Sequence, residues 1–296
     1  EHDTGGGHPE RPDRLRAVLA ALAAPQFDSL IRREAPAADV AQLTRVHLPL
    51  YVDSLLAAVP EVGRVQIDPD TALSPGSGDA ALHAAGAMIA AVDTVLAGEA
   101  TSAFCAIRPP GHHAESDRGM GFCLFNNVAI GAAHARAHHG LGRVAVVDFD
   151  VHHGNGTQAM FQSEPEVFYA SSHEYPLYPG TGAADEQGVG NVFNVPLESG
   201  SGSAEFRREM ERVVLPALEE FDPALILISA GFDAHARDPL ASLRLEEEDF
   251  AWITGKLVEI AGEHCDGRIV STLEGGYDLE ALANSVTAHV GELMRA

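Results

Sequence analysis

Short continuous apolar runs alternate with amphipathic stretches along most of this chain. Runs at 103–107, 144–147, 167–170, 225–229 and 269–273 have no polar alternation. That is the pattern of strands buried on both faces of a sheet. Helical patterns lie between them. Residues 80–96 end near Gly98, a helix-stopping glycine. Residues 125–138, 246–263 and 279–294 are further predicted helices. Residues 203–221 place Phe206, Met210, Val213, Val214, Ala217 and Phe221 on one face. Pro216 predicts a kink or break in that helix. The stretch 68–78, rich in Pro, Gly, Ser and Asp, predicts a surface loop. Strands alternating with helices predict one α/β domain, with a parallel sheet covered by helices on both faces.

In such sheets, sites form beyond the carboxyl ends of the strands. Four Gly-rich polar motifs fall there. Arg108–His113 follows the first run and Asp148–Thr157 the second. Residues 230–235 follow the fourth run and residues 274–277 the fifth. Parallel strands bring all four to one edge.

The Asp148–Thr157 motif is the most informative. Burying two carboxylates and two imidazoles at a strand end is costly unless something binds them. Asp150, His152 and Asp233 offer oxygen and nitrogen donors of the kind catalytic zinc takes, and three protein ligands leave a position open. The plain alternative is a solvated loop rich in His and Asp. His112 and His113 supply a base and acid for an attacking water. Asp148 and Asn155 are candidate partners that fix their tautomers. An aspartate partner raises imidazole basicity more than an asparagine does, so the two histidines are expected to be unequal. Tyr277, after two glycines, is a candidate hydroxyl donor to an oxyanion. His138, His139, His235 and His289 are assigned to surface or structural roles, and Cys123 to apolar filling.

Composition narrows the function. The chain has 296 residues, 46% apolar, with a net charge of −24 and a single lysine, Lys256. That charge speaks against direct nucleic-acid binding. It favours cationic ligands such as basic peptides or polyamines, and equally serves solubility. Three scattered cysteines make no disulfide framework, so a reducing cytoplasm is expected. No apolar window is expected to span a bilayer. No basic-then-apolar leader is read in the first residues.

Arg108–Ala114, Gly121–Asn127, Asp150–Gln158, Ser229–Ala234, Asp238–Leu240 and Leu273–Tyr277 together resemble the class II histone deacetylase family, which includes bacterial histone-deacetylase-like amidohydrolases. His8–Leu15 resembles its N-terminal motif. The resemblance implies one catalytic domain over 1–296 with an arginase-like fold and a parallel sheet of about eight strands. It implies zinc-dependent hydrolysis of an acylated lysine or similar small acylated amine. By position, Asp150, His152 and Asp233 bind Zn2+. His113, partnered by Asn155, is the general base and acid. His112, partnered by Asp148, acts electrostatically, and Tyr277 holds the oxyanion. Phe122 and Tyr178 line the acyl-lysine tunnel, with Tyr178 where many relatives carry phenylalanine; Gly121 contributes backbone near the acyl group, and Leu240 completes the substrate-binding set at the gatekeeper position. A structural K+ (or Na+) involves Asp148, Asp150, His152, Ser171 and Ser172, and a second such ion lies near Phe161 and Val167.

Two departures from relatives are informative. Two-manganese ureohydrolases of this fold carry a carboxylate where Gly154 stands and an Asp where His235 stands. One metal is therefore expected. Polyamine deacetylases of the class carry an acidic gatekeeper where Leu240 stands, which favours acyl-lysine over acetylpolyamine. An acetylpolyamine amidohydrolase is the alternative of the same chemistry. A catalytically silent acyl-lysine-binding module is the alternative of a different class. The 68–78 loop is a candidate contact surface for a homo-oligomer.

Overall fold

The computed structural model describes residues 2–296. Its central sheet has six strands, all parallel, among the described residues. The strands in chain order are β1 (Val65–Asp68), β2 (Thr71–Leu73), β3 (Ser102–Cys105), β4 (Val144–Asp148), β5 (Val167–Glu174), β6 (Val192–Leu197), β7 (Leu225–Ala230) and β8 (Ile269–Leu273). The sheet runs β3-β8-β7-β4-β5-β6. The expected count of about eight is therefore corrected to six. β1 and β2 pair only with each other, antiparallel, as a small hairpin that starts before the stretch read as a loop and has its turn and second strand inside it. β6 had no sequence signal because Asn194 and Pro196 interrupt it. Its place at the sheet edge is where a proline is tolerated in a ladder.

Alternate strand residues feed two cores. Val144, Val146, Leu225 and Leu227 pack with Met88, Val92, Val128 and Ala132. These come from the helices Ser77–Leu96 and Asn127–His139. Ala145, Val147, Ile226 and Ile228 pack on the other face with Phe250, Ile253, Leu257, Val286 and Val290. These come from the helices Glu247–His264 and Leu279–Leu293. Helices thus cover both faces, as expected.

One expectation changes and another is met. Ser77–Leu96 is long and apolar enough, by length and composition, to cross a membrane. Here Ala81, Ala84, Ala85, Met88, Ile89, Val92 and Val95 are buried, as in a core helix. The helix at 203–221 is broken as Pro216 predicts. Met210–Val214 forms a π turn between Ser203–Glu209 and Leu215–Phe221. A proline without an N–H leaves the preceding turn one bond short, and a π bulge absorbs that.

Candidate active site

The four motifs follow β3, β8, β7 and β4, which are neighbours in the sheet. Their polar residues meet at the carboxyl edge, as the alternation pattern implies. Asp150 Oδ1 and Asp233 Oδ2 each lie 3.2 Å from His152 Nδ1. All three side chains are buried, and their donor atoms are close enough to hold one ion. Backbone amides orient the carboxylates. Gly275 N–H donates to Asp150 Oδ2 at 2.8 Å, and Val151 N–H donates to Asp233 Oδ1 at 2.9 Å.

Glycine is required beside these carboxylates. A Cβ on Gly231 would lie 2.0 Å from Asp150 Oδ2. A Cβ on Gly275 would lie 2.1 Å from Asp233 Oδ2. Gly154 has a similar role. A Cβ there would lie 2.4 Å from Asp148 Oδ2 and 3.1 Å from His112 Nδ1. A carboxylate at this position would therefore displace the Asp148–His112 pair.

The two histidines differ as their partners predict. His112 Nδ1 lies 2.9 Å from Asp148 Oδ2. Burial opposes its charge, but Asp148 and Asp150 outweigh burial and push it up to about 10. His113 Nδ1 lies 2.9 Å from Asn155 Oδ1. Burial, then the neighbouring His112 and His152, hold it well below the ordinary histidine value. Asn155 Nδ2 donates to Glu115 Oε1 at 2.8 Å, which leaves Oδ1 as the acceptor. His113 Nδ1 therefore carries its proton, and Nε2 is bare.

Tyr277 stands opposite, its ring edge-on to Phe122 with centroids 5.8 Å apart. Burial and the carboxylates of Asp233, Asp150 and Asp238 push its phenol well above the usual value, against the cation of Arg14. The hydroxyl stays a donor. Tyr178 stands edge-on to His113 at 5.1 Å and is 36% exposed. Phe122 has φ 69°, held by its N–H donating to Thr71 Oγ1 at 3.0 Å. Gly121 is buried against the His113 ring, which a Cβ would strike at 2.4 Å. Leu240 is half-exposed, and its N–H donates to Asp238 Oδ1 at 2.9 Å. Ser171 pairs in register with Asp148, and Ser172 is buried beside it. The Ser171 hydroxyl lies 2.9 Å from His173 Nδ1. Phe161 and Val167 are buried in the core below.

Sequence reasoning assigned no role to several residues that frame the site. Asp238 accepts from Tyr277 N–H at 2.7 Å as well as from Leu240. Glu274 Oε2 accepts from Gly111 N–H at 2.6 Å and His112 N–H at 3.2 Å. It thus ties β8 to the His pair. Asp70 accepts from Gly121 N–H at 3.1 Å. Arg14, fully buried, donates to the Gly276 carbonyl at 2.6 Å and lies 4.9 Å over the Tyr277 ring. Glu10 pairs with both Arg14 and Arg108. All but Asp70 sit inside a quoted motif, but their contacts run through backbone groups of distant segments, which no spacing in the sequence encodes.

A histone deacetylase domain profile matches residues 8–293. This chain belongs to the histone deacetylase domain family. As such it is a deacetylase or amidohydrolase, an enzyme that acts on amide bonds. The histone deacetylase-like amidohydrolase of Pseudomonas aeruginosa is 42% identical over 92% of this chain and 73% of its own length. The polyamine deacetylase HDAC10 of Homo sapiens is 40% identical over 96% of this chain, which spans 44% of that protein. The solved HD domain of HDA15 superposes with a TM-score of 0.93 at 36% identity. The match covers 99% of this chain and 85% of that one. The family is metal-dependent. The buried Asp150–His152–Asp233 donor set suits a divalent cation here, since five buried acidic side chains (Asp148, Asp150, Asp233, Asp238, Glu274) stand against only three imidazoles.

Proposed function

We propose that this histone deacetylase domain is a zinc-dependent amidohydrolase that removes acetyl or other acyl groups from acylated lysine or a similar small amine. The observation that carries the reading is the convergence of the Asp150–His152–Asp233 donor set, two unequal histidines and the Tyr277 phenol on one sheet edge.

Asp150, His152 and Asp233 would hold zinc, which would supply Lewis acidity toward the amide carbonyl and acidify the attacking water. The chain's own groups do the rest. His113 Nε2, bare and neutral, takes the proton from that water and later gives it to the leaving amine nitrogen. His112, held protonated by Asp148, stabilises the negative charge that develops on the carbonyl oxygen. The Tyr277 hydroxyl donates to the same oxygen. Asp238 and Arg14 keep Tyr277 in place through its backbone and ring. Phe122 and Tyr178 flank the site as walls for an extended alkyl stem, with Gly121 giving close approach. K+ or Na+ near Asp148, Asp150, His152, Ser171 and Ser172 would fix the far side of the zinc ligands. The pairing of Asp148 with Ser171 supports that placement.

Leu240 supports acyl-lysine over acetylpolyamine. The Asp238 carboxyl ties the backbone of residue 240 to that of Tyr277, which supports an apolar residue, rather than an acidic one, near the oxyanion donor. Catalytic efficiencies on acetyl-lysine peptides and on acetylspermidine test the reading. A higher value on the peptides is expected, and a higher value on acetylspermidine would assign the polyamine substrate instead.

A further inference from the structure

Three histidines with no part in the amide chemistry cluster at the end of the helix Asn127–His139. His134 and His138 stand one helical turn apart, with rings stacked at 5.0 Å and 17°. His139 turns toward the same point and meets both rings edge-on, at 5.4 and 4.9 Å. Asp93, on the neighbouring helix Ser77–Leu96, completes the group. Its Oδ1 lies 2.6 Å from His134 Nε2 and 2.6 Å from His139 Nε2. One donor atom from each of the four residues lies within 4.8 Å of the others.

We propose that Asp93, His134, His138 and His139 form a second metal site, for a borderline divalent cation of the zinc, nickel or copper class. Three imidazoles and one carboxylate are the donors such ions prefer over magnesium or calcium. Four protein donors leave no position open, which marks a structural rather than a catalytic site. His138 is exposed and stacks into the group, and among the described residues no protein group bonds its ring nitrogens, so both are open to an ion from solvent. The carboxyl end of a helix also favours a cation. This helix starts beside the His112–His113 motif and runs about 18 Å away from it at 1.5 Å per residue. The cluster therefore lies toward the opposite edge of the sheet from the amide chemistry.

Arg45 sets the tautomer of one of its donors. Its Nη1 lies 2.6 Å from His134 Nδ1, so His134 carries its proton on Nε2 and donates it to Asp93. A metal at Nε2 shifts that proton to Nδ1, where Arg45 can no longer donate. Arg45 is exposed and free to swing out. Removing it favours the metal-binding tautomer.

Metal analysis of untagged protein tests the site. The chain is saturated with Zn2+, dialysed without chelator and measured by mass spectrometry. The expected wild-type content is one equivalent more than in H138A/H139A, with amide hydrolysis the same in both. R45A should tighten the extra equivalent, read by calorimetry with Zn2+. Equal metal content in wild type and H138A/H139A would overturn the proposal. So would an extra equivalent that survives in H138A/H139A. Neither result depends on hydrolysis, so failure here is distinct from failure at the catalytic centre.

Discussion

The Asp148 carboxylate lies 2.9 Å from Nδ1 of His112, while the adjacent His113 meets only the neutral amide of Asn155 at the same distance. One imidazole is thereby biased toward charge and its neighbour toward neutrality. Asn155→Asp tests that difference directly. A carboxylate beside His113 raises its pKa, so a base that must be neutral is available only at higher pH. The acidic limb of kcat/KM against pH should move up by about one unit or more. An unmoved limb would remove His113 from the role of base.

Two single substitutions probe the chemical groups. His113→Ala should lower kcat about 100- to 10,000-fold, the range for a general base. Tyr277→Phe should lower it about 100- to 1,000-fold, the range for one oxyanion donor. Zinc content and melting temperature should stay close to wild type in both. Steady-state kinetics beside metal analysis gives the answer, and full turnover in either variant contradicts the role assigned to that residue.

Gly275→Ala should cost metal rather than fold. The new Cβ would sit 2.1 Å from Asp233 Oδ2 and 2.6 Å from Asp150 Oδ2, forcing two metal-binding carboxylates apart. Zinc per chain at the catalytic centre, measured in the H138A/H139A background, should fall below half of that background's value. Undiminished zinc would show that the backbone at 275 yields without disturbing the donors.

Stability should fall on mild acidification because of buried neutral histidines. Burial lowers His47 to about 4 and His289 to about 3. His47 Nδ1 faces the Glu115 carbonyl at 2.9 Å, and Nε2 accepts from Asn126 N–H at 2.9 Å, so a second ring proton has nowhere to go. His289 lies between Thr254 and Ser271 hydroxyls. Their folded values are below the unfolded value near 6.5, so the unfolded chain binds protons first. Their contribution is fully present above pH 6.5 and is lost as pH falls toward 4. Each contributes a slope of about 1.4 kcal/mol per pH unit in that window. Urea unfolding between pH 7 and 5, compared for wild type and His289→Gln, should show the variant losing less stability on acidification. An identical pH dependence in the two would contradict it.

Much of this is legible in the sequence. Continuous runs such as 144–147 and 269–273 mark buried parallel strands, and their polar sequels mark the sheet edge where the metal donors and His pair meet. Four features carried no such signal. β6 contains Pro196 and Asn194, which only an edge position tolerates. The β1–β2 hairpin is too short and too polar for periodicity to register. Arg14, Glu10, Glu274 and Asp238 support the site through backbone carbonyls and amides, and no spacing rule encodes such contacts between distant segments. His138 and His139 look like an ordinary helix end until packing brings Asp93 beside them.

The central claim rests on the metal at Asp150, His152 and Asp233, and hydrolysis of an acetyl-lysine peptide before and after metal removal tests it most directly. Protein stripped with a chelator should lose its activity and regain it on addition of Zn2+. Asp233→Asn should stay inactive under the same addition. Full activity in the stripped protein, or in Asp233→Asn, would contradict the account.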